Sequence, residues 1–269
     1  MERIKQAIEK VKREQGGVSV ASESRPAAVA SQHPSADQVS YSRTRVIELN
    51  LLHLEKHRIV AFNKHDPMSI SFDVLRTQVL RKMDEKAWRT LAVTSPTPGC
   101  GKTVVAINLA MSIAHQTNKT AMLVDFDLRR PKVASYLGLA AETSLNDVIA
   151  GKAALPDALI NPDIPRLVVL PTRRPEPTPA EKLASKQVKG LIRDLRERYV
   201  DRTVLIDLPP LLGTDDAMSI LPEVDGVLVV VGNGMATKAE INDTLRHLPA
   251  GKLVGVVLNK GEQAQNKYY

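Results

Sequence analysis

Six continuous apolar segments recur along the chain, and helical periodicity separates most of them. An unbroken apolar run is typical of a strand that is covered on both faces. The alternation of strands and helices therefore predicts an α/β fold with a doubly wound, mostly parallel sheet. The predicted strands are TLAVTS from Thr90, TAMLVDF from Thr120, RLVVLP from Arg166, TVLIDLP from Thr203, GVLVVVG from Gly226 and KLVGVVLN from Lys252. The predicted helices cover 103–116, 145–150, 179–199 and 237–248.

Other patterns divide the rest of the chain. Residues 1–15 place Ile4, Ala7, Ile8 and Val11 at helical spacing, which predicts a short amphipathic helix. Residues 16–45 are rich in Ser and Ala with few large apolar side chains, which predicts a disordered linker. We expect residues 46–260 to form one domain and the polar residues 261–269 to form a flexible tail.

Three elements are expected before the first long strand. VIELNLLHLEKH from Val46 suggests a short helix, and RIVAF from Arg58 suggests a short extended piece. SISFDVLRTQVLRKM then predicts an amphipathic helix, with Ser69 or Ser71 as its cap.

Composition narrows the function classes. Aromatic residues make up only 3% of the chain, which argues against nucleic-acid binding by base stacking. The net charge of +7 is spread without a long run and is typical of solvated helices. One cysteine, no apolar stretch of membrane-spanning length and no signal-peptide pattern predict a cytoplasmic protein. Any membrane role is then expected to pass through a partner.

A phosphate-binding loop is predicted where TLAVTS runs into PTPGCGKT. Glycines let backbone N–H groups converge on one point, and the helix start adds its positive end. Lys102 is expected to reach the β- and γ-phosphates, and the Thr103 hydroxyl to ligate Mg²⁺. The loop lacks the usual first glycine, since Pro96 stands there. The nucleotide-binding residues predicted here are Pro98, Gly99, Cys100, Gly101, Lys102, Thr103 and Val104.

Three acids follow two other strands. Asp125 and Asp127 lie two residues apart after the second strand, and Asp207 ends TVLIDLP. Such carboxylates facing a triphosphate are suited to hold Mg²⁺ and to accept a proton from an incoming hydroxyl. Arg129 and Arg130 are candidates to bind phosphate or to pair with these acids. A purely structural ion-pair cluster is the alternative.

Asn259 and two tyrosines complete the candidate residues. Asn259 ends the last strand and is expected either to read an adenine edge or simply to form a turn. Tyr268 and Tyr269 lie in a polar segment without apolar periodicity, and the chain has only five tyrosines. They are candidate phosphate acceptors, although an accidental aromatic pair is the alternative.

Together these motifs resemble the bacterial tyrosine kinase family, over about residues 66–260. SPTPGCGKT resembles its Walker A motif, MLVDFDLRRP its Walker A′ motif and VLIDLPP its Walker B motif. The resemblance implies a P-loop kinase domain that binds ATP and Mg²⁺, with Thr103, Asp125 and Asp207 at the metal. It assigns catalysis to Lys102, Asp125, Asp127 and Asp207.

The resemblance also implies partners. Members form homo-oligomeric rings, phosphorylate each other's tyrosines and act in exopolysaccharide polymerisation and export. We therefore expect a separate membrane polysaccharide co-polymerase whose cytoplasmic segment holds the protein at the inner membrane, and a counteracting tyrosine phosphatase. No nucleic-acid partner is expected.

The chain departs from the family in three places. The family's assembly helix carries an acid and two arginines at three-residue spacing, whereas this chain has Ile70, Asp73 and Arg76. Its tyrosine cluster is reduced to one pair, and Cys100 stands where an acid is frequent. Ring assembly is therefore open.

Two other functions stay open. A positioning ATPase related to ParA and MinD shares the A′ motif, but it usually has a second lysine where this chain has Thr97. A non-catalytic nucleotide-binding scaffold of the export machinery is the third possibility.

Overall fold

A computed structural model describes residues 44–116, 118–198 and 201–261. The predicted helix at 1–15, most of the predicted linker and the segment with Tyr268 and Tyr269 lie outside the described residues. The first strand begins at Arg45, at the end of the predicted linker. Within the described parts, no helix combines the length and the apolar character that crossing a bilayer requires.

Eight strands form one sheet in the order β1-β4-β5-β3-β6-β2-β7-β8. All neighbours are parallel except the short pair β4 and β5, so the prediction of a mostly parallel doubly wound sheet is confirmed. The strands are β1 Arg45–Val46, β2 Thr90–Thr94, β3 Thr120–Asp125, β4 Ile160–Asn161, β5 Leu167–Leu170, β6 Arg202–Asp207, β7 Gly226–Gly232 and β8 Leu253–Asn259.

Helices cover both faces of this sheet. Successive residues of β2 point to opposite faces, with Leu91 and Val93 in one apolar cluster and Ala92 in the other. Aliphatic side chains dominate both clusters, as the low aromatic content requires. The described helices are α1 Leu51–Lys56, α2 Pro67–Glu85, α3 Lys102–Ala114, α4 Val133–Leu137, α5 Leu145–Ile149, α6 Leu155–Ala158, α7 Pro179–Leu183, α8 Lys186–Glu197 and α9 Lys238–His247.

The segment before β2 differs from the sequence prediction. Residues 58–62 do not form a strand: Arg58, Ala61 and Phe62 lie in turns, and the Asn108 side chain holds the segment by accepting from the N–H groups of Val60 (2.7 Å) and Ala61 (2.9 Å). The cap of α2 is Asp66 rather than Ser69 or Ser71, because Pro67 occupies the first helical position.

The predicted helix over 179–199 is interrupted. It is two helices, α7 and α8, and Ser185 caps the second by accepting from the Val188 N–H. The sequence patterns also missed β1, β4, α4 and α6, each of which has at most five residues. Elements this short carry too little periodicity to be recognised.

The centre of the sheet decides where the site lies. β3, β6 and β2 are consecutive and parallel, with Asp125 opposite Asp207 and Asp207 opposite Val93. Their carboxyl ends therefore meet at one edge, and the loops that follow them face a common space.

Candidate active site

The loop between β2 and α3 has the backbone of a phosphate-binding loop. Gly99 and Gly101 have φ angles of +84° and +91°, which only glycine adopts readily. A Cβ at Gly101 would also collide with the side-chain amide of Asn259. Both glycines are therefore required, and the first turn of α3 points its free N–H groups into the space beyond.

Lys102 is a buried cation held by carboxylates. Its Nζ lies 2.8 Å from Asp127 Oδ2 and 3.4 Å from Asp207 Oδ1. Burial by itself would lower the pKa of Lys102, but the charges of Asp207 and Asp127 outweigh it and raise the pKa. The side chain is therefore positively charged throughout the physiological range.

Thr103 and Asp207 form a hydrogen bond beside Lys102. The Thr103 hydroxyl donates to Asp207 Oδ2 at 2.6 Å, and Asp207 is fully buried. Burial raises the pKa of Asp207, although the Lys102 charge and the Thr103 hydrogen bond oppose the shift. A hydroxyl and a carboxylate are thus adjacent at the start of α3.

Asp125 and Asp127 have different surroundings. Asp125 is fully buried, and its oxygens accept from the N–H groups of Asp127 (3.2 Å), Lys132 (3.0 Å) and Val133 (3.0 Å). Burial, followed by repulsion from Asp207, raises the pKa of Asp125 well above its ordinary value. Asp125 therefore shapes the loop after β3, whereas Asp127 borders the open space.

A cavity of about 340 Å³ lies in front of these groups. Most of the predicted nucleotide-binding residues line it, together with Asp127, but Cys100, Asp125, Asp207 and Asn259 do not. The loop after β6 contributes a wall that the sequence motifs did not predict, although PPLLGT follows Asp207 after a single residue. The lining residues are Pro98, Gly99, Gly101, Lys102, Thr103, Val104, Asp127, Arg129, Arg130, Lys132, Tyr136, Pro209, Pro210, Leu212, Gly213 and Thr214.

Arg129 pairs with an acid that the sequence did not single out. Its guanidinium forms a bidentate ion pair with the buried carboxylate of Asp216, with distances of 2.7 and 3.1 Å. The hydrogen bonds to Asp216 raise the pKa of Arg129. This pair joins the loop after β3 to the loop after β6, so Arg129 does not bind the A′ carboxylates.

Cys100 and Asn259 lie behind the phosphate-binding loop. Cys100 is fully buried, with its sulfur 3.5 Å from the Thr97 hydroxyl. The Asn259 amide donates to the Cys100 carbonyl at 2.9 Å. In this structure both side chains stabilise the loop from outside the cavity.

The donor set fits a nucleotide with Mg²⁺. Among the described residues, no three or more His, Cys, Asp or Glu side chains are arranged as a complete metal site. Mg²⁺ does not need one, because it usually keeps several waters and binds one or two carboxylates plus phosphate oxygens. The Thr103 hydroxyl beside Asp207, next to a buried Lys102 and a helix start, has that chemistry.

Known proteins share these features. Residues 88–247, more than half of the chain, match the AAA domain family. Tyrosine-protein kinase CpsD of Streptococcus pneumoniae is 35% identical over 183 residues, which cover 67% of this chain and 79% of that protein. Tyrosine-protein kinase ptk of Acinetobacter johnsonii is 28% identical over 225 residues, but this chain spans only 30% of its length.

Solved structures agree with this relationship. The kinase domain of Escherichia coli tyrosine kinase ETK superposes with a TM-score of 0.71 at 26% identity, covering 84% of this chain and 92% of that one. The septum site-determining protein MinD from Pyrococcus horikoshii, complexed with Mg-ADP, has a TM-score of 0.51 at 25% identity and covers 63% of this chain and 69% of that one. The chain therefore belongs to the bacterial tyrosine kinase family of P-loop proteins.

Proposed function

We propose that this protein is an ATP-dependent protein-tyrosine autokinase, with Tyr268 and Tyr269 of a neighbouring copy as acceptors. The observation that carries the proposal is the cavity where Lys102 and Asp127 face each other at 2.8 Å. A phosphate-binding cation and a proton-accepting carboxylate then share one space, in a chain related to tyrosine kinases.

The nucleotide side uses the start of α3. The backbone N–H groups around Gly99 and Gly101 bind phosphate oxygens, and Lys102 neutralises their charge. Thr103 and Asp207 are the proposed Mg²⁺ ligands. Asp125, which the resemblance also placed at the metal, lies opposite Asp207 on the neighbouring strand, but its oxygens accept from backbone N–H groups and it does not line the cavity. Bound Mg²⁺ would neutralise phosphate charge and orient the triphosphate.

The acceptor side uses Asp127. Its Oδ2 is paired with Lys102 and its Oδ1 accepts from the Arg130 N–H at 2.9 Å. When Lys102 turns toward phosphate oxygens, Oδ2 is released to accept the proton of a tyrosine hydroxyl. The tyrosine oxygen then bonds to the γ-phosphorus, and ADP leaves.

Mass spectrometry of the 261–269 peptide after incubation with Mg-ATP tests this proposal. We expect phosphotyrosine on Tyr268 or Tyr269, and a loss of at least about a hundredfold in Lys102→Met. Lys152→Met, which removes an exposed lysine away from the cavity, is the control and should keep the wild-type level. An absence of phosphotyrosine at every protein concentration would refute the proposal.

A positioning ATPase is the second candidate, because the MinD structure shares the fold. Thr97 occupies the place of the second lysine, and its hydroxyl donates to the Met235 carbonyl at 2.9 Å. That contact anchors the loop and provides no charge for a partner's nucleotide. Phosphate release with no tyrosine modification would favour this candidate, and ATP binding without turnover would favour a scaffold.

We further propose that the kinase regulates exopolysaccharide polymerisation and export from the inner membrane surface. It would act as a homo-oligomer with the cytoplasmic segment of a separate membrane co-polymerase, and a tyrosine phosphatase would reverse its modification. A synthetic peptide of that cytoplasmic segment should raise the rate of phosphotyrosine formation. An unchanged rate at saturating peptide would remove the co-polymerase from this scheme.

A further inference from the structure

Two loops beside the cavity carry an exposed group of cations. The loops follow β3 and β5, which pair directly, with Val124 opposite Leu170. The Glu176 N–H donates to the Leu128 carbonyl at 2.8 Å, so the loops stay in contact beyond the strands. We call their four exposed cations the basic rim: Arg130, Lys132, Arg173 and Arg174.

A buried amide fixes the half of the basic rim that follows β5. Asn146 is only 4% exposed, and its Oδ1 accepts from the N–H groups of Arg173 (3.1 Å) and Arg174 (3.4 Å). Its Nδ2 donates to the Arg174 carbonyl at 3.0 Å and to Glu176 Oε1 at 2.6 Å. The arginines therefore project from a backbone that is held in place.

The basic rim keeps an excess of positive charge, although Asp147 lies close to its arginines. Within the described ranges, Arg130, Lys132 and Arg174 have no carboxylate at ion-pair distance, and Arg173 approaches Asp147 only to 3.9 Å. Of the other nearby acids, Asp127 pairs with Lys102 and Glu176 accepts from Asn146, so Asp147 alone interacts with the charges of Arg173 and Arg174 among the acids named here. An excess of positive charge thus borders the cavity, which Arg130 and Lys132 also line.

We propose that the basic rim binds the phosphotyrosine of an acceptor segment that has already been modified once. The inference rests on the proposed kinase function and adds an order to it. A phosphotyrosine carries a charge of about −1.5 to −2 and binds arginine groups by charge-assisted hydrogen bonds. The phosphates of ATP, in contrast, lie at the Lys102 wall in the proposed arrangement.

The acceptor sequence suits such a site. Tyr268 and Tyr269 are consecutive, and in an extended chain successive side chains point to opposite sides. One phosphorylated side chain can then contact the basic rim while the other enters the cavity. In the second transfer the tyrosine oxygen bonds to the γ-phosphorus of ATP, ADP leaves, and the hydroxyl proton passes to Asp127. The first phosphorylation therefore promotes the second.

Peptide binding without nucleotide tests the site independently of catalysis. Fluorescence anisotropy would compare peptides of residues 261–269 with no phosphate or with one phosphate on Tyr268 or Tyr269. The protein is the full chain carrying Tyr268→Phe and Tyr269→Phe, so that its own segment stays unmodified. We expect at least one singly phosphorylated peptide to bind about tenfold more tightly than the unmodified peptide.

Substitutions in the basic rim show which residues provide the tighter binding of the phosphorylated peptide. Arg130→Gln with Arg174→Gln should abolish it, whereas Arg174→Lys should keep most of it because the charge remains. Arg193→Gln is the matched control, since Arg193 is exposed on α8, which precedes the amino end of β6. Equal affinity for all peptides, or a gain that survives the double substitution, would overturn the proposal.

Two further arms separate the possible phosphate sources. If the basic rim binds nucleotide phosphate instead, ADP will displace the phosphopeptide and the double variant will lose ADP affinity to the same extent, which also overturns the proposal. With Mg-ATP, wild type should accumulate doubly modified peptide beyond random expectation, and the double variant should stop mainly at one phosphate. A complete absence of phosphotyrosine refutes the kinase function, whereas phosphotyrosine without this order refutes only the basic rim.

Discussion

Asn259 shows how one side chain at a strand end holds the phosphate-binding loop. Its side-chain amide donates to the Cys100 carbonyl at 2.9 Å, and its backbone carbonyl accepts from the Asn233 N–H at 2.8 Å. Gly101 passes so close to the amide that no Cβ fits between them. The contact therefore fixes the loop next to Lys102, which is a different role from reading adenine.

Asn259→Ala separates these two roles. If the side chain positions the loop, we expect the affinities for ATP and GTP to fall by the same factor, about tenfold, because one hydrogen bond to a buried carbonyl is lost. If it reads adenine, only the affinity for ATP should fall. Isothermal titration with both nucleotides measures the two constants, and Asn233→Ala, which keeps the Cys100 contact, is the control.

At the scale of single residues, the sequence predicts the groups but not their partners. Lys102, Thr103 and Asp207 follow from motifs at strand ends, and the structure brings all three together. The backbone bonds of Asp125 depend on the conformation of its loop, and Arg129 finds Asp216 at a separation of 87 residues. Neither contact has a local signal in the sequence.

At the scale of elements, Asp73 fixes α2 on α3. Its Oδ1 accepts from Ser112 Oγ at 2.6 Å, from Lys64 Nζ at 2.7 Å and from Arg76 at 2.8 Å. Arg76 also donates to the Ser112 carbonyl at 3.0 Å. Arg76, the residue that matches the family's assembly helix, is thus engaged in contacts within its own chain.

Asp73→Asn tests this cluster through its pH dependence. Burial would raise the pKa of Asp73, but hydrogen bonds from Lys64 and Ser112 and the charges of Lys64 and Arg76 lower it. A carboxyl whose folded-state pKa is depressed stabilises the fold above its unfolded pKa, about 3.9, and loses that contribution as the pH falls through the folded value.

At pH 7 the free energy of unfolding of wild type should therefore exceed that of Asp73→Asn. The difference should be about 1 kcal/mol or less, because the ion pairs of Asp73 with Lys64 and Arg76 are partly exposed. The difference should shrink below about pH 4. Urea unfolding at both pH values measures it, with Asp243→Asn on the exposed face of α9 as the control. A difference that stays constant down to pH 2.5 would contradict an ionic origin.

The break between α7 and α8 shows why element boundaries were harder to predict than elements. The apolar spacing of residues 179–199 continues through the interruption, and only the Ser185 cap and its backbone reveal it. The long apolar strands were predicted within one or two residues, because burial on both faces leaves a clear apolar run in five of them. The sixth, β8, has the same apolar run although Val256 and Leu258 are exposed. Capping and short edge strands depend on tertiary contacts that the pattern does not contain.

Ser185→Ala should therefore destabilise the protein by about 1 kcal/mol, whereas Ser185→Gly should cost only a few tenths. The physical reason is that the Ser185 hydroxyl accepts from the Val188 N–H at 3.3 Å. It thereby provides a partner for one of the N–H groups that have none within the first turn of α8. Guanidinium unfolding of the two variants measures the difference. Equal losses in both would show that the cap is not what stabilises the helix start.

At the scale of the molecule, the strand order assembles the site. β3, β6 and β2 lie together although β6 follows β3 by more than 75 residues, so Asp127, Asp207 and Lys102 converge only in the folded sheet. Asp125 and Asp207 are both fully buried there, and their mutual repulsion adds to the effect of burial in raising the pKa of Asp125. The site should therefore be a place where ligand binding strongly stabilises the whole domain.

Thermal and urea unfolding with ADP and Mg²⁺ tests that coupling. At a hundred times the dissociation constant, a ligand that binds only the native state adds about 2.7 kcal/mol to stability. We expect that gain with Mg-ADP and a clearly smaller one when EDTA removes the metal, because the negative phosphates then face Asp207 and Asp127 directly. Asp207→Asn should make ADP binding less dependent on Mg²⁺, since it removes a proposed metal ligand and a repelling charge together. Glu223→Gln, which changes a carboxylate on the opposite edge of the sheet before β7, should leave the Mg²⁺ dependence as in wild type. Stabilisation by ADP that is the same with and without the metal would show that Thr103 and Asp207 do not form a magnesium site.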